Sequence, residues 1–96
     1  MNKELEETLQ GTGETKGFVF TRVDRSNSAY LYKVDTGASV HYEIFERRAT
    51  PICIDFEQRI YSETDTKEIY PKSNDFGVWA WSTNSIIRAI AIFQGI

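Results

Sequence analysis

Between Phe18 and Arg47 the chain alternates apolar and polar positions with a period of two, three times over. Phe18, Phe20 and Arg22 fall on one side of the first run and Val19, Thr21 and Val23 on the other. Tyr30, Tyr32 and Val34 alternate with Leu31 and Lys33 in the second, and Val40, Tyr42 and Ile44 with His41, Glu43, Phe45 and Arg47 in the third. Successive side chains of a strand point to opposite faces, so each run predicts a strand. Residues 24–28 offer Ser and Asn for one turn, and residues 35–38 offer Gly37 for another at positive φ. The result is a three-stranded antiparallel meander.

Pro51 predicts a break, because proline lacks a ladder donor and biases Thr50 toward extended geometry. Beyond it Ile52, Ile54 and Phe56 alternate with Cys53, Asp55 and Glu57, a fourth strand that can continue to Ile60 and Tyr61. Residues 62–67 read as a polar turn, and residues 68–70 as a short strand stopped by Pro71. Residues 76–81 are either a strand or an irregular aromatic segment. After Ser82 the period changes to that of a helix over residues 83–94, capped by Ser82 or Thr83 and closed by Gly95 in the left-handed region. Ile86, Ala89, Ile90 and Phe93 form the stripe for the sheet, while Ile87, Ala91 and Ile92 carry apolar character almost all round. The predicted fold class is α+β, an antiparallel meander of four to five strands with one C-terminal helix packed on one face. Such a helix wants more cover than one sheet face gives, from a curled sheet or from a second chain.

Composition narrows this further. A length of 96 residues holds one domain, and 41% hydrophobic with 26% charged residues excludes a wholly disordered chain, a collagen and a coiled coil. Residues 1–16 carry four glutamates and only Leu5 and Leu9 as larger aliphatics after Met1, and Gly11-Thr12-Gly13 interrupts any helix there. Two leucines are little surface to offset ordering entropy, so residues 1–16 read as a flexible acidic leader and residues 17–96 as the domain. A formal net charge of −3 is a poor start for a duplex-DNA binder and favours basic partners. The single cysteine, Cys53, cannot form an internal disulfide, which together with the absence of a secretory h-region points to a reducing, cytoplasmic location. The longest nearly apolar stretch, 86–93, is interrupted by Arg88 and too short to span a bilayer.

Candidate chemistry is sparse. His41 and Cys53, on adjacent predicted strands, could pair as base and nucleophile, but acids surround Cys53 and disfavour its thiolate. One His and one Cys are too few for a structural metal, and Gly11-Thr12-Gly13 lacks the lysine and strand-to-helix context of a phosphate loop. The carboxylates Glu43, Glu46, Asp55 and Glu57 read as strand-face charges paired with Lys33, Arg47 and Arg22. No catalytic residue, cofactor or metal is predicted. Phe18, Phe20, Tyr30, Tyr32 and Tyr42 could stack unpaired bases if arginines gathered on the same face, or could be the core beneath the helix. Trp79 and Trp81 would point to the same side of an extended segment, either as interface anchors or as packing under the helix.

Lys16-Gly17-Phe18, Ala29-Tyr30, the run 41–47, Tyr70-Pro71 and the run 76–81 before a terminal helix resemble small proteins encoded by bacteriophages and other mobile elements of gut bacteria. The resemblance covers residues 16–93, implies a bacterial cytoplasm and an accessory role, and brings no catalytic residues with it. The stretch 52–67 is longer here than in that pattern. The functional expectation is therefore a non-enzymatic binding or accessory protein acting through protein–protein contacts as a homodimer, with Trp79, Trp81, Ile87, Arg88 and Ile92 at the interface. The alternative is a single-stranded nucleic-acid binder that uses the sheet aromatics.

Overall fold

In the computed structural model, which describes residues 2–96, the three alternating runs form β3 (Val19–Arg25), β4 (Ala29–Asp35) and β5 (Val40–Glu46), antiparallel neighbours in chain order. The turns use their own side chains. Ser26 Oγ accepts from the amides of Ser28 and Ala29, and Asp35 Oδ1 accepts from Gly37, whose φ of 86° suits a residue without Cβ. β2 (Thr8–Gln10) adds along β3 and β8 (Ala80–Thr83) along β5, so the antiparallel sheet has five strands in the order β2-β3-β4-β5-β8. The class is α+β. The helix α1 (Ile86–Gln94) packs against β4, β5 and β8.

Both faces of the sheet are covered, by different things. On one lie Phe20, Tyr30, Tyr32, Val34 and Phe45, roofed by Leu5, Leu9, Ile69, Tyr70, Phe76 and Trp79. Phe45 sits 4.7 Å from Tyr70 and 5.7 Å from Tyr30, ring centre to ring centre. On the other lie Leu31 and Ile44, with Ala89 buried over them and Tyr42, Ile92, Phe93 and Ile96 around. Phe18, Phe20, Tyr30 and Tyr32 thus belong to the core on the face away from the helix, and of the five aromatics only Tyr42 packs on the helix side as the sequence suggested. A nine-residue helix is about 13.5 Å long and suits the small aliphatic face; the wide aromatic face takes two segments of chain.

One of those segments is the N-terminus. β1 (Asn2–Lys3) pairs in parallel with β7 (Ile60–Glu68), and Leu5 and Leu9 pack on the aromatic face. The buried phenols need partners and find them here: Tyr32 donates to the Glu6 carbonyl at 2.6 Å and Tyr30 accepts from the Leu5 amide at 3.3 Å. Strand pairing and core contacts therefore begin before Gly17.

The region after Pro51 also differs from expectation. β6 (Ala49–Asp55) runs through Pro51, and residues 62–67 lie inside β7 instead of in a turn. These strands form a ribbon outside the main sheet, in the order β1-β7-β6, and Pro51 is tolerated because β6 is its edge. Residues 56–59 close the ribbon, with Asp55 Oδ1 accepting from the amides of Glu57 and Gln58. At the other end of the chain, Ser82 and Thr83 are held in β8 opposite Glu43 and Tyr42, so Ser85 caps α1, accepting from the Arg88 amide at 3.3 Å. Gly95 is right-handed at φ −82°, not left-handed.

Candidate functional site

The five residues singled out for an interface are dispersed. Trp79 lies in the turn before β8, is only 4% exposed, packs edge-on to Phe45, and has the Arg48 guanidinium 4.9 Å from its ring centre. Trp81 stands opposite Ile44 in register and so faces the helix side; the two tryptophans point to different sides. Ile92 is half-buried against the sheet, whereas Arg88 and Ile87 stand in solvent, Ile87 at 79% exposure. The outward side of α1 is apolar: Ile86, Ile87, Ile90 and Ala91 are all exposed. Sequence reasoning missed a second apolar surface at the ribbon, where Ile54, Phe56, Ile60 and Tyr61 are exposed, Phe56 at 86%. Their alternation looked half-buried because it assumed that β6 belonged to the main sheet.

At the base of the ribbon, Arg47 donates to both oxygens of Glu68, from Nε at 2.9 Å and Nη2 at 2.6 Å. It also reaches Glu4 at 2.8 Å and the Ser26 carbonyl at 2.9 Å, with its guanidinium 4.9 Å from the Tyr30 ring centre. Asn2 also donates to Glu68, and the Tyr30 phenol lies close enough to perturb it. Burial pushes the Glu68 carboxyl up, but the bonds from Arg47, Tyr30 and Asn2 outweigh it and hold the group below its ordinary 4.5. Burial, reinforced by Glu68, pushes the Tyr30 phenol up to about 12. Every charge in this knot is answered from within the chain, so it ties β1, β5 and β7 together.

A third feature is a cavity of about 450 Å³ on the aromatic face, lined by Phe18, Phe20, Val34, Tyr70, Phe76 and Glu43, with Thr15, Ser73 and Ser82 as its hydroxyl-bearing residues. Tyr70 donates to Glu43 Oε1 at 2.6 Å, and His41 Nε2 is hydrogen-bonded to Glu43 Oε2 at 2.9 Å. Burial first, and the adjacent Glu43 charge second, hold the Tyr70 phenol far above its ordinary 10.0. His41 and Glu43 share a face by sequence spacing, but Tyr70 joins them from a loop 27 residues on, which no spacing reveals.

Cys53 pairs with Tyr61 on the ribbon while β5 lies between β4 and β8, so His41 and Cys53 are not on neighbouring strands. Tyr30, Tyr32 and Phe45 are fully buried and present no face to a base. Among the described residues no cluster of three His, Cys, Asp or Glu could hold a metal ion, and no helix is long and apolar enough to cross a membrane. No protein-family model, curated protein or solved structure matches the chain.

Proposed function

We propose that this chain is a non-enzymatic accessory protein of the bacterial cytoplasm that works through protein–protein contacts, as a homodimer joined along the outward side of α1. The observation that carries this is Ile87, 79% exposed in a nine-residue helix. Ile87, Ile90, Ala91 and Gln94 follow at i, i+3, i+4 and i+7 and make one stripe on the solvent side. The stripe is self-complementary: an antiparallel two-fold crossing sets Ile87 against the partner subunit's Ala91, large against small, and the reverse. Arg88 is the sole formal charge in α1, so such a seam desolvates little charge. The ribbon tip supplies a second surface, with Ile54, Phe56, Ile60 and Tyr61 exposed on a stretch whose charges are Asp55, Glu57 and Glu63 against Arg59. That chemistry suits an apolar groove rimmed by Lys or Arg on a different protein.

Light scattering over a micromolar concentration series tests the seam. The mass should rise from 11.1 kDa toward twice that value, and Ile87→Glu should return it to the monomer with an unchanged circular dichroism spectrum. A wild-type mass that stays at 11.1 kDa throughout overturns the reading.

A further inference from the structure

We infer that the cavity on the aromatic face is a binding site for a small organic cation, an ammonium group on an apolar body. The inference starts from a contrast among the carboxylates. Glu68 is answered by Arg47, Glu46 by Arg48, and Glu4 by Arg25 and Arg47. Glu43, with a side chain only 15% exposed, has a phenol and an imidazole as its partners and no guanidinium or ammonium. A carboxylate offers about four acceptor positions, and the Tyr70 and His41 bonds fill two, so Glu43 keeps acceptor capacity.

The walls point the same way. No Lys, Arg or His lines the cavity, and four of its side chains are aromatic. The rings are set at angles: Phe20 and Tyr70 are 5.2 Å apart at 72°, Phe18 and Phe20 are 6.5 Å apart at 41°. Inclined rings cannot all turn their electron-poor edges to one volume, and a cation over an electron-rich ring face gains from the ring quadrupole as well as from Glu43. An anion would meet a carboxylate with no guanidinium or ammonium beside it, and a neutral apolar ligand would desolvate that carboxylate without repaying it. A volume of about 450 Å³ is of small-ligand size, and the Thr15, Ser73 and Ser82 hydroxyls can orient a polar substituent on the ligand. The cavity is on the sheet face opposite α1, so the inference is independent of the dimer seam.

The test compares choline with 3,3-dimethylbutan-1-ol, its neutral isostere, by two-dimensional NMR titration of the full chain. Choline should shift the Phe18, Tyr70 and Phe76 ring resonances and bind about tenfold more tightly than the alcohol. Glu43→Gln should bring that ratio close to one, weakening choline while the alcohol, freed of the cost of desolvating a carboxylate, binds at least as well as before. Phe76→Leu, which keeps the apolar volume and removes a ring, should lower the ratio by about threefold and serves if the Gln variant does not fold. Equal affinity of wild type for the two probes, or no shift of these resonances by either at about 20 mM, overturns the inference.

Discussion

Arg47 carries one charge and divides it between two carboxylates, one of them buried: the Glu68 side chain is 3% exposed and the Glu4 side chain 42%. The two bonds are unequal in consequence. Removing the guanidinium strands Glu68 in a low-dielectric site, so Arg47→Met should lower the unfolding free energy by about 3–5 kcal/mol in urea titration. Glu68→Gln, which leaves a neutral acceptor and donor in place, should cost less. The Glu68 carboxyl sits below its ordinary 4.5 in the folded chain. Its contribution is therefore present above 4.5 and lost as the pH falls through the lower folded value, and Glu68→Gln should flatten that acid limb of the stability curve. The phenols behave in the opposite sense. Burial holds Tyr30 and Tyr32 at about 12 against an ordinary 10.0. The unfolded chain loses those protons first, so stability is intact below 10.0 and falls as the pH rises toward 12. Absorbance at the phenolate band should show Tyr30, Tyr32 and Tyr70 ionising only as the fold is lost; smooth titration of all tyrosines in folded protein would contradict their burial.

Elements differ in how plainly the sequence announces them, and the difference is physical. β3, β4 and β5 are legible because each separates a covered face from another by strict alternation. Residues 62–67, Ser-Glu-Thr-Asp-Thr-Lys, are polar on both faces, since a ribbon that stands outside the core is held by its ladder and needs no apolar side. The helix was legible in type but not in its start, because Ser82 and Thr83 are equally good caps until strand pairing claims them. The N-terminal segment was hidden for a different reason. Leu5 and Leu9 are too few to sustain a helix, yet enough to roof an aromatic face that the rest of the chain has already assembled. The double substitution Leu5→Ala with Leu9→Ala should therefore destabilise by about 2–4 kcal/mol in total, and a null effect on the urea midpoint would show that this roof is not energetically engaged. Ser85→Ala should cost about 1 kcal/mol through the lost cap, read as a lower thermal midpoint.

At the scale of the whole molecule the chain is elongated, 44 × 29 × 23 Å, because the ribbon is appended to the sheet and not built into it. The cavity also belongs to this scale: Glu43 comes from β5, Phe18 from the approach to β3 and Tyr70 from the link between ribbon and β8, so no local pattern could assemble it. The ribbon's ties lie near its base: β1 along Thr66 and Lys67, the Arg47–Glu68 knot, and the Ile69 amide on the Arg48 carbonyl at 2.9 Å. Its tip has exposed side chains on both strands and solvent around its ladder. Opening such a tip exposes little further apolar surface, whereas opening β4, buried on both faces, requires dismantling both cores. Native-state hydrogen exchange should accordingly rank the amides of β4 slowest, at the rate of global unfolding, and those flanking residues 56–59 fastest. The ties predict a gradient along β7, with protection rising from Ile60 toward Glu68. Arg47→Met should release the Glu68 end preferentially, beyond the uniform loss that lower global stability imposes. Uniform protection across β4 and both ribbon strands would mean that the ribbon and the sheet unfold as one unit, and the tip could not then adapt its shape to a partner independently of the domain that carries it.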